Sequence, residues 1–260
     1  MTVSVADLKT KFHNHCFDEF AAAMDHVLTL AEFRRPVIFG ANSSDCAEVI
    51  PEDAILYNAE PIAVHPRPLT LLARTDRVVW DYSAANVTRW RELDVKAIHC
   101  PVGYHETMTS IAETKQDIDV LFYGTKNVRR THLLDRLTSA GIRVLCLPYN
   151  TYGTTRDRWI ARAKVVLNLH FHDPGTFEIF RVSHLLANRK CVLTEGGGQD
   201  EQLEAFAKRS CAYAHPFQLI EACHGLLADD KARQAQAHAG HFAFTNTSLA
   251  DNVRKAITES

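Results

Sequence analysis

Short apolar runs of strand length recur along this chain, and most of them end on a small or polar residue. Pro36-Val-Ile-Phe-Gly40-Ala-Asn42, Ala54-Ile-Leu-Tyr57-Asn58-Ala-Glu60, Arg77-Val-Val-Trp80-Asp81-Tyr82-Ser83 and Val95-Lys-Ala-Ile-His-Cys100 form a first series. Asp119-Val-Leu-Phe-Tyr123, Arg143-Val-Leu-Cys-Leu147, Lys164-Val-Val-Leu-Asn168-Leu-His170 and the runs at 190–194 and 211–214 form a second. Segments with apolar residues three or four apart separate them, at 84–93, 127–139, 154–163, 177–188 and 200–208. Continuous apolar runs fit strands buried on both faces, and strands that alternate with helices fit parallel sheets covered by those helices. The pattern predicts an α/β fold.

At 260 residues the chain can form one large domain or two smaller ones. Composition turns polar at 106–117, where Thr114, Lys115 and Gln116 are consecutive. An interdomain linker is expected there, giving domains 1–110 and 111–260, with the first cut down. One helix or two are expected over 6–33, with a core stripe formed by Phe12, Cys16, Phe20, Ala23, Val27 and Leu30. Pro61, Pro66 and Pro68 enclose His65 and Arg67 ahead of a short helix at 69–74. Ser83 is placed to cap the helix after it, and Gly141 to end the helix before it. From Pro216 the chain reads as helical, with an Ala-rich helix expected to return across the domain interface.

The formal net charge of -2 argues against a nucleic-acid partner, which generally needs a basic face. No apolar run approaches the roughly 20 residues needed to span a bilayer, and no secretory signal is evident. The seven cysteines are scattered without a Cys-x-x-Cys pair and are read as buried free thiols, so a cytoplasmic location is expected.

The chemistry-bearing residues concentrate between Asp119 and Glu195. A strand that ends in Gly and feeds a helix presents backbone N–H groups to a phosphate. Tyr123-Gly124 followed by Arg129 and Arg130 has that form, and one of these arginines, with Arg181, suits phosphate contact. Phe177, Glu178, Arg181 and His184 have the spacing of one helix face. Glu178 and Glu195 are candidates to accept hydrogen bonds from sugar or ribose hydroxyls. For Glu178 the competing reading is a carboxylate serving the helix dipole. His170-Phe-His172-Asp173 with His184 has an alternative reading as metal ligands, but no cysteine joins it. Glu60, His65 and Asp81, at or just after strand ends, are candidates for a general base. Trp80, Tyr82 and Trp90 are read as core.

These residues resemble the GT-B glycosyltransferases, particularly the short bacterial spore-maturation-protein-B-like group. The resemblance rests on Asp119-Val-Leu-Phe-Tyr-Gly-Thr-x-Asn-x-Arg-Arg, Tyr152-Gly-x-x-Arg156-Asp157, Val165-Val-Leu-Asn-Leu-His170 and Phe177-Glu178-Ile-Phe-Arg181-Val-Ser-His184-Leu-Leu-Ala-Asn. It covers about 54 to 230. It implies two Rossmann-like domains facing across a cleft, and transfer of a sugar from a UDP- or GDP-linked donor without a metal or other cofactor. The acceptor would be a saccharide, a lipid-linked group or a protein. Donor contacts are expected from Tyr123, Gly124, Arg129 and Tyr152. His170, Glu178, Arg181 and Glu195 would supply the rest. One departure is specific. Many members carry two glutamates with seven residues between them on the helix equivalent to 177–188, and here Leu186 stands eight positions after Glu178. A non-catalytic nucleotide-sugar-binding or partner-docking protein, or a nucleotide-sugar epimerase, remain the alternatives.

Overall fold

A computed structural model describes residues 17–39, 50–62, 77–173 and 175–260. His65, Phe12, Cys16 and the expected helix at 69–74 lie outside the described residues. The chain divides into two compact units, Met1–His105 with Thr247–Ser260, and Glu106–Asn246.

The first unit contains α1 (Asp18–Leu30), β1 (Val37–Phe39), β2 (Ile55–Asn58), β3 (Val79–Asp81), α2 (Ala84–Glu92) and β4 (Ala97–His99). Its strands are parallel and lie side by side in chain order, β1-β2-β3-β4. Burial on both faces explains why these strands read as continuous apolar runs. Trp80 and Trp90 are wholly enclosed, as expected for core residues. The Ser83 side chain accepts from Asn86 N–H and starts α2. On α1, Phe20, Ala23 and Val27 are buried, but Leu30 is 72% exposed and leaves the expected stripe. Leu30 ends the helix, where the chain turns away at Glu32 with a positive φ.

The second unit contains β5 (Ile118–Phe122), α3 (Val128–Ser139), β6 (Val144–Cys146), α4 (Gly153–Arg162) and β7 (Ala163–Asn168). It continues through α5 (Ile179–Ala187), β8 (Val192–Glu195), α6 (Glu201–Ser210), β9 (Ala212–Ala214), α7 (Leu219–Ala228) and α8 (Asp230–Thr245). All five strands are parallel, in the order β6-β5-β7-β8-β9. The chain steps from β5 to one side and then crosses to the other, so β5 and β7 form a topological switch point. In open parallel sheets the crevice beyond the carboxyl ends of such a pair is where ligands bind. Gly141 ends α3 at φ +82, as its position predicted.

The closing helix α9 (Leu249–Glu259) belongs to the first unit. Tyr104 N–H donates to Thr247 O (2.7 Å) and Leu249 N–H to Tyr104 O (3.0 Å). Gly103 permits this approach, since a Cβ there would lie 2.6 Å from the Leu249 nitrogen. Trp80 Nε1–H donates to Ser260 Oγ at the far end (2.9 Å). Among the described residues no helix is long and apolar enough to cross a membrane.

Candidate functional site at the strand ends of the second unit

The carboxyl ends of β5, β7 and β8 gather three arginines and two glutamates. Asn127 caps α3 by accepting from Arg130 N–H (2.9 Å), and its amide donates to Phe171 O (2.6 Å). This fixes the first turn of α3 against the segment after β7. Arg130 shares a face with Leu133, Leu134 and Leu137 and is buried with them. Its guanidinium donates to Thr125 O (2.8 Å), Leu169 O (2.6 Å) and His170 O (3.3 Å). It also lies 5.1 Å from the Phe171 ring centre and pairs with Glu178.

Arg129 turns the other way and pairs with Glu195, which is wholly buried at the end of β8. Glu195 also accepts from His170 N–H (3.0 Å), and Arg129 donates to His170 O (3.1 Å). These two residues therefore tie β7 to β8. Burial pushes the His170 imidazole below the usual histidine value, so it is neutral at pH 7. Its Nε2 is buried and without a hydrogen-bond partner among the described residues.

Arg181, on the first turn of α5, reaches back over β5. Its guanidinium lies 5.5 Å from the Tyr123 ring centre, and Arg156 stacks near the same ring at 5.8 Å. Gly124, at φ +117, makes room for it: a Cβ there would lie 2.6 Å from Arg181 Nη2. Thus Gly124 accommodates a guanidinium, where the sequence suggested a close approach of ligand. Glu178 occupies the N-cap position of α5 without capping it. Its carboxylate bridges Arg130 and Arg181, the second at 2.9 Å. Burial works to raise its pKa, but the Arg181 and Arg130 charges outweigh this and hold it below the ordinary carboxylate range. Three guanidiniums face the carboxylates of Glu178 and Glu195, and Asp173 lies close enough to act on Arg129, at the starts of two helices whose dipoles favour anions.

The structure thus brings together Tyr123, Gly124, Arg129, His170, Glu178, Arg181 and Glu195, and with them Arg130, the second arginine of the pair named for phosphate contact. Its place beside Leu133, Leu134 and Leu137 on α3 is the signal that could have marked it as the buried member of that pair. Tyr152 is half-buried at the N-cap position of α4. His184 turns from its helix neighbours to Asp157, with Nε2 and Oδ1 3.0 Å apart. The shared face read for Phe177, Glu178, Arg181 and His184 therefore divides between two clusters. Nor are His170, His172 and His184 gathered into a metal-ligand set among the described residues.

At the other end of β5 a shallow groove of about 440 Å³ opens beside Asp117, Asp119, Gly141 and Arg143. Its charges are already paired, Asp119 with Arg143 and Lys164, and Asp117 with Arg162. The groove leaves no charge to recognise an ion.

The base candidates of the first unit fare differently. Asp81 has no exposed surface, and four donors surround it. Oδ1 accepts from Ser83 N–H (2.8 Å) and Asn86 (3.1 Å), and Oδ2 from Asn58 (2.6 Å) and Trp90 Nε1–H (2.8 Å). Burial raises its pKa to about 7, against the pull of those donors. A carboxylate so enclosed is a structural hub, which corrects its reading as a general base. Both asparagine amides turn their NH2 groups toward Asp81. Their oxygens then face outward to receive Glu60 N–H (3.3 Å) and Ile62 N–H (3.2 Å). Glu60, half-buried just beyond β2, sits on this platform.

No protein-family model matches the sequence. The uncharacterised protein L140 of Acanthamoeba polyphaga mimivirus is 29% identical over 158 residues, 58% of this chain and 51% of L140. The match thus spans about half of L140, and a second protein of that virus, L138, is 33% identical over 41% of this chain and 13% of its own length. Among solved structures, Staphylococcus aureus TarM in complex with fondaparinux, α-GlcNAc-glycerol and UDP superposes with a TM-score of 0.63. It is 8% identical, over 91% of this chain and 58% of TarM. Anabaena HepE in complex with UDP and glucose gives 0.61 at 11% identity, over 96% and 83%. WaaG, a glycosyltransferase involved in lipopolysaccharide biosynthesis, gives 0.58 at 11%, over 95% and 83%. The fold is that of the GT-B glycosyltransferases. Both units are Rossmann-like, and at these identities the likeness extends to the fold alone.

Proposed function

We propose that the chain is a glycosyltransferase that moves a sugar from a UDP- or GDP-linked donor to a hydroxyl acceptor, without a metal. The observation that carries this reading is the cluster of Arg129, Arg130 and Arg181 at the β5/β7 switch point. In the transfer, the bond between sugar C1 and the phosphate oxygen breaks and its electron pair leaves with the diphosphate. The acceptor oxygen bonds to C1 and gives its proton to a base. Fixed guanidiniums and helix N-termini would stabilise the departing charge, the role a metal plays elsewhere. Glu178 is proposed to receive a hydroxyl of the donor and Glu195, enclosed at the end of β8, to hold Arg129 toward it, while Tyr123 and Gly124 hold Arg181 in place. Tyr152 is retained as a candidate donor contact. Glu60 and His65 remain the candidates for the base. The ligands named for TarM and HepE, UDP in both cases, support the donor class. A saccharide, lipid-linked or protein acceptor is proposed. The buried free thiols of Cys100, Cys191, Cys211 and Cys223 fit work in a reducing cytoplasm.

The test is thermal unfolding with UDP, GDP, CMP, ADP and their sugars, with and without EDTA. A ligand that binds only the folded chain must raise its melting temperature. A selective rise that EDTA leaves unchanged is expected, and Arg181→Ala should weaken nucleotide affinity by about tenfold or more. No rise with any nucleotide sinks the proposal. Binding without transfer to any acceptor moves the reading to a non-catalytic nucleotide-sugar-binding protein.

A further inference from the structure

Glu178 is the one member of the cluster whose partners are both held by other means. Arg130 keeps hydrogen bonds to the carbonyls of Thr125, Leu169 and His170 whatever Glu178 does. Arg181 keeps its stack on Tyr123 and its place against Gly124. The Glu178 side chain is 28% exposed, and it neither caps α5 nor carries part of the fold's core. Its backbone is secured separately, with Val182 N–H donating to Glu178 O (3.1 Å). Rotation of one side chain would therefore uncover two oriented guanidiniums at the start of a helix. Glu195 contrasts with it: wholly buried and bonded to Arg129 and His170 N–H, it has nowhere to go.

We propose that Arg130 and Arg181 form an exchangeable anion site, and that the Glu178 carboxylate is its resident anion, displaced when a diphosphate binds. This deepens the reading of the cluster as a donor site and rests on it only for the origin of the diphosphate. A carboxylate and a phosphate present the same planar pair of oxygens to a guanidinium fork. The phosphate carries more charge, so the exchange favours it. A neutral ligand cannot replace Glu178, because two buried guanidiniums would be left without an anion. The resident carboxylate thus keeps the site charge-balanced when empty and sets a threshold that only a multiply charged ligand passes.

Pyrophosphate is the probe, since it has no hydroxyl and no sugar contact can enter the result. Titration calorimetry on the full chain should show Glu178→Gln binding pyrophosphate at least about fivefold more tightly than the unaltered protein, because a competing like charge is gone. Arg181→Ala should lose the binding. Unchanged or weaker binding by Glu178→Gln, with folding confirmed by circular dichroism, would overturn the proposal. So would failure of the unaltered protein to bind pyrophosphate. A crystal of the unaltered protein with pyrophosphate avoids any variant. The anion should lie between Arg130 and Arg181 with Glu178 swung out, and Glu178 still bridging both would end the idea. Pyrophosphate binding without any nucleotide-sugar binding would remove the transferase reading and leave this one. Nucleotide-sugar binding with no gain in Glu178→Gln would do the reverse.

Discussion

Each unit carries a buried or half-buried carboxylate, Asp81 as the last residue of β3 and Glu178 at the start of α5, and the two are satisfied in opposite ways. Asp81 of the first unit is surrounded by four uncharged donors from its own unit and has no exposed surface. Glu178 of the second is held by two guanidiniums and is partly open to solvent. Neutral donors aimed at one carboxylate suit nothing else, since an anion of higher charge would lack a countercharge there. Paired cations suit any anion of the right shape. Among the described residues the sheets agree: β1 to β4 run in chain order, whereas the second sheet reverses beside β5. The difference separates a carboxylate that builds the fold from one that keeps a place for a ligand.

The sharpest way to break this contrast is to remove Asp81. Asp81→Ala would orphan four buried donors and release both asparagine amides, at a cost of about 4 kcal/mol or more. Trp80 and Trp90 report on the first unit and Trp159 on the second. Denaturant unfolding followed by fluorescence should show the loss. A cost below about 1 kcal/mol would mean that Asp81 is not the hub.

Acidity should next act on the two units with opposite sign. Asp81 has a folded pKa raised to about 7, so its contribution to stability is fully present below the unfolded value of about 4. That contribution is lost as pH rises through about 7, a swing of a few kcal/mol. Glu178 is held below the ordinary range, so its contribution is present above about pH 4.3 and is lost as pH falls through its folded pKa. Between pH 7 and 4 the first unit should gain stability, and below pH 4 the second should lose it. Asp81→Asn should flatten the first trend alone. Trends of the same sign in both units would contradict the contrast.

Why sequence reading placed one carboxylate in a cluster and missed the surroundings of the other is itself physical. Strands of uniform apolar character, Ser83 as a cap and Gly141 as a stop are local signals, and each appears where the pattern put it. The cluster at 119–195 was legible because Gly124, Arg129, Arg181 and Glu195 sit at strand ends or first helical turns. Asp81 has the same position, yet its donors come from β2, from the first turn of α2 and from the far end of that helix. Such convergence depends on strand register, which no spacing reveals. The order of strands in each sheet was likewise hidden, and with it the switch point. Arg130 was the reverse case: its charge suggested phosphate contact or solvent, while its spacing with Leu133, Leu134 and Leu137 held the signal of burial.

The smallest expected effect tests whether the site geometry or the bare backbone makes Gly124 a glycine. Gly124 and Gly141 both have positive φ, at +117 and +82, and both follow strands or helices of the second unit. At Gly141 nothing lies within 4 Å of an added Cβ, so Gly141→Ala should cost only the backbone strain, about 1 kcal/mol. At Gly124 the added methyl would meet the Arg181 guanidinium at 2.6 Å. Gly124→Ala should therefore cost somewhat more, about 2 kcal/mol, and should also weaken nucleotide and pyrophosphate binding by dislodging Arg181. The affinity is the telling measurement, because backbone strain alone has no reason to change it. Equal losses of stability in both variants, with affinity intact in each, would show that Arg181 does not depend on its glycine. The anion site would then need another account of what keeps that arginine still.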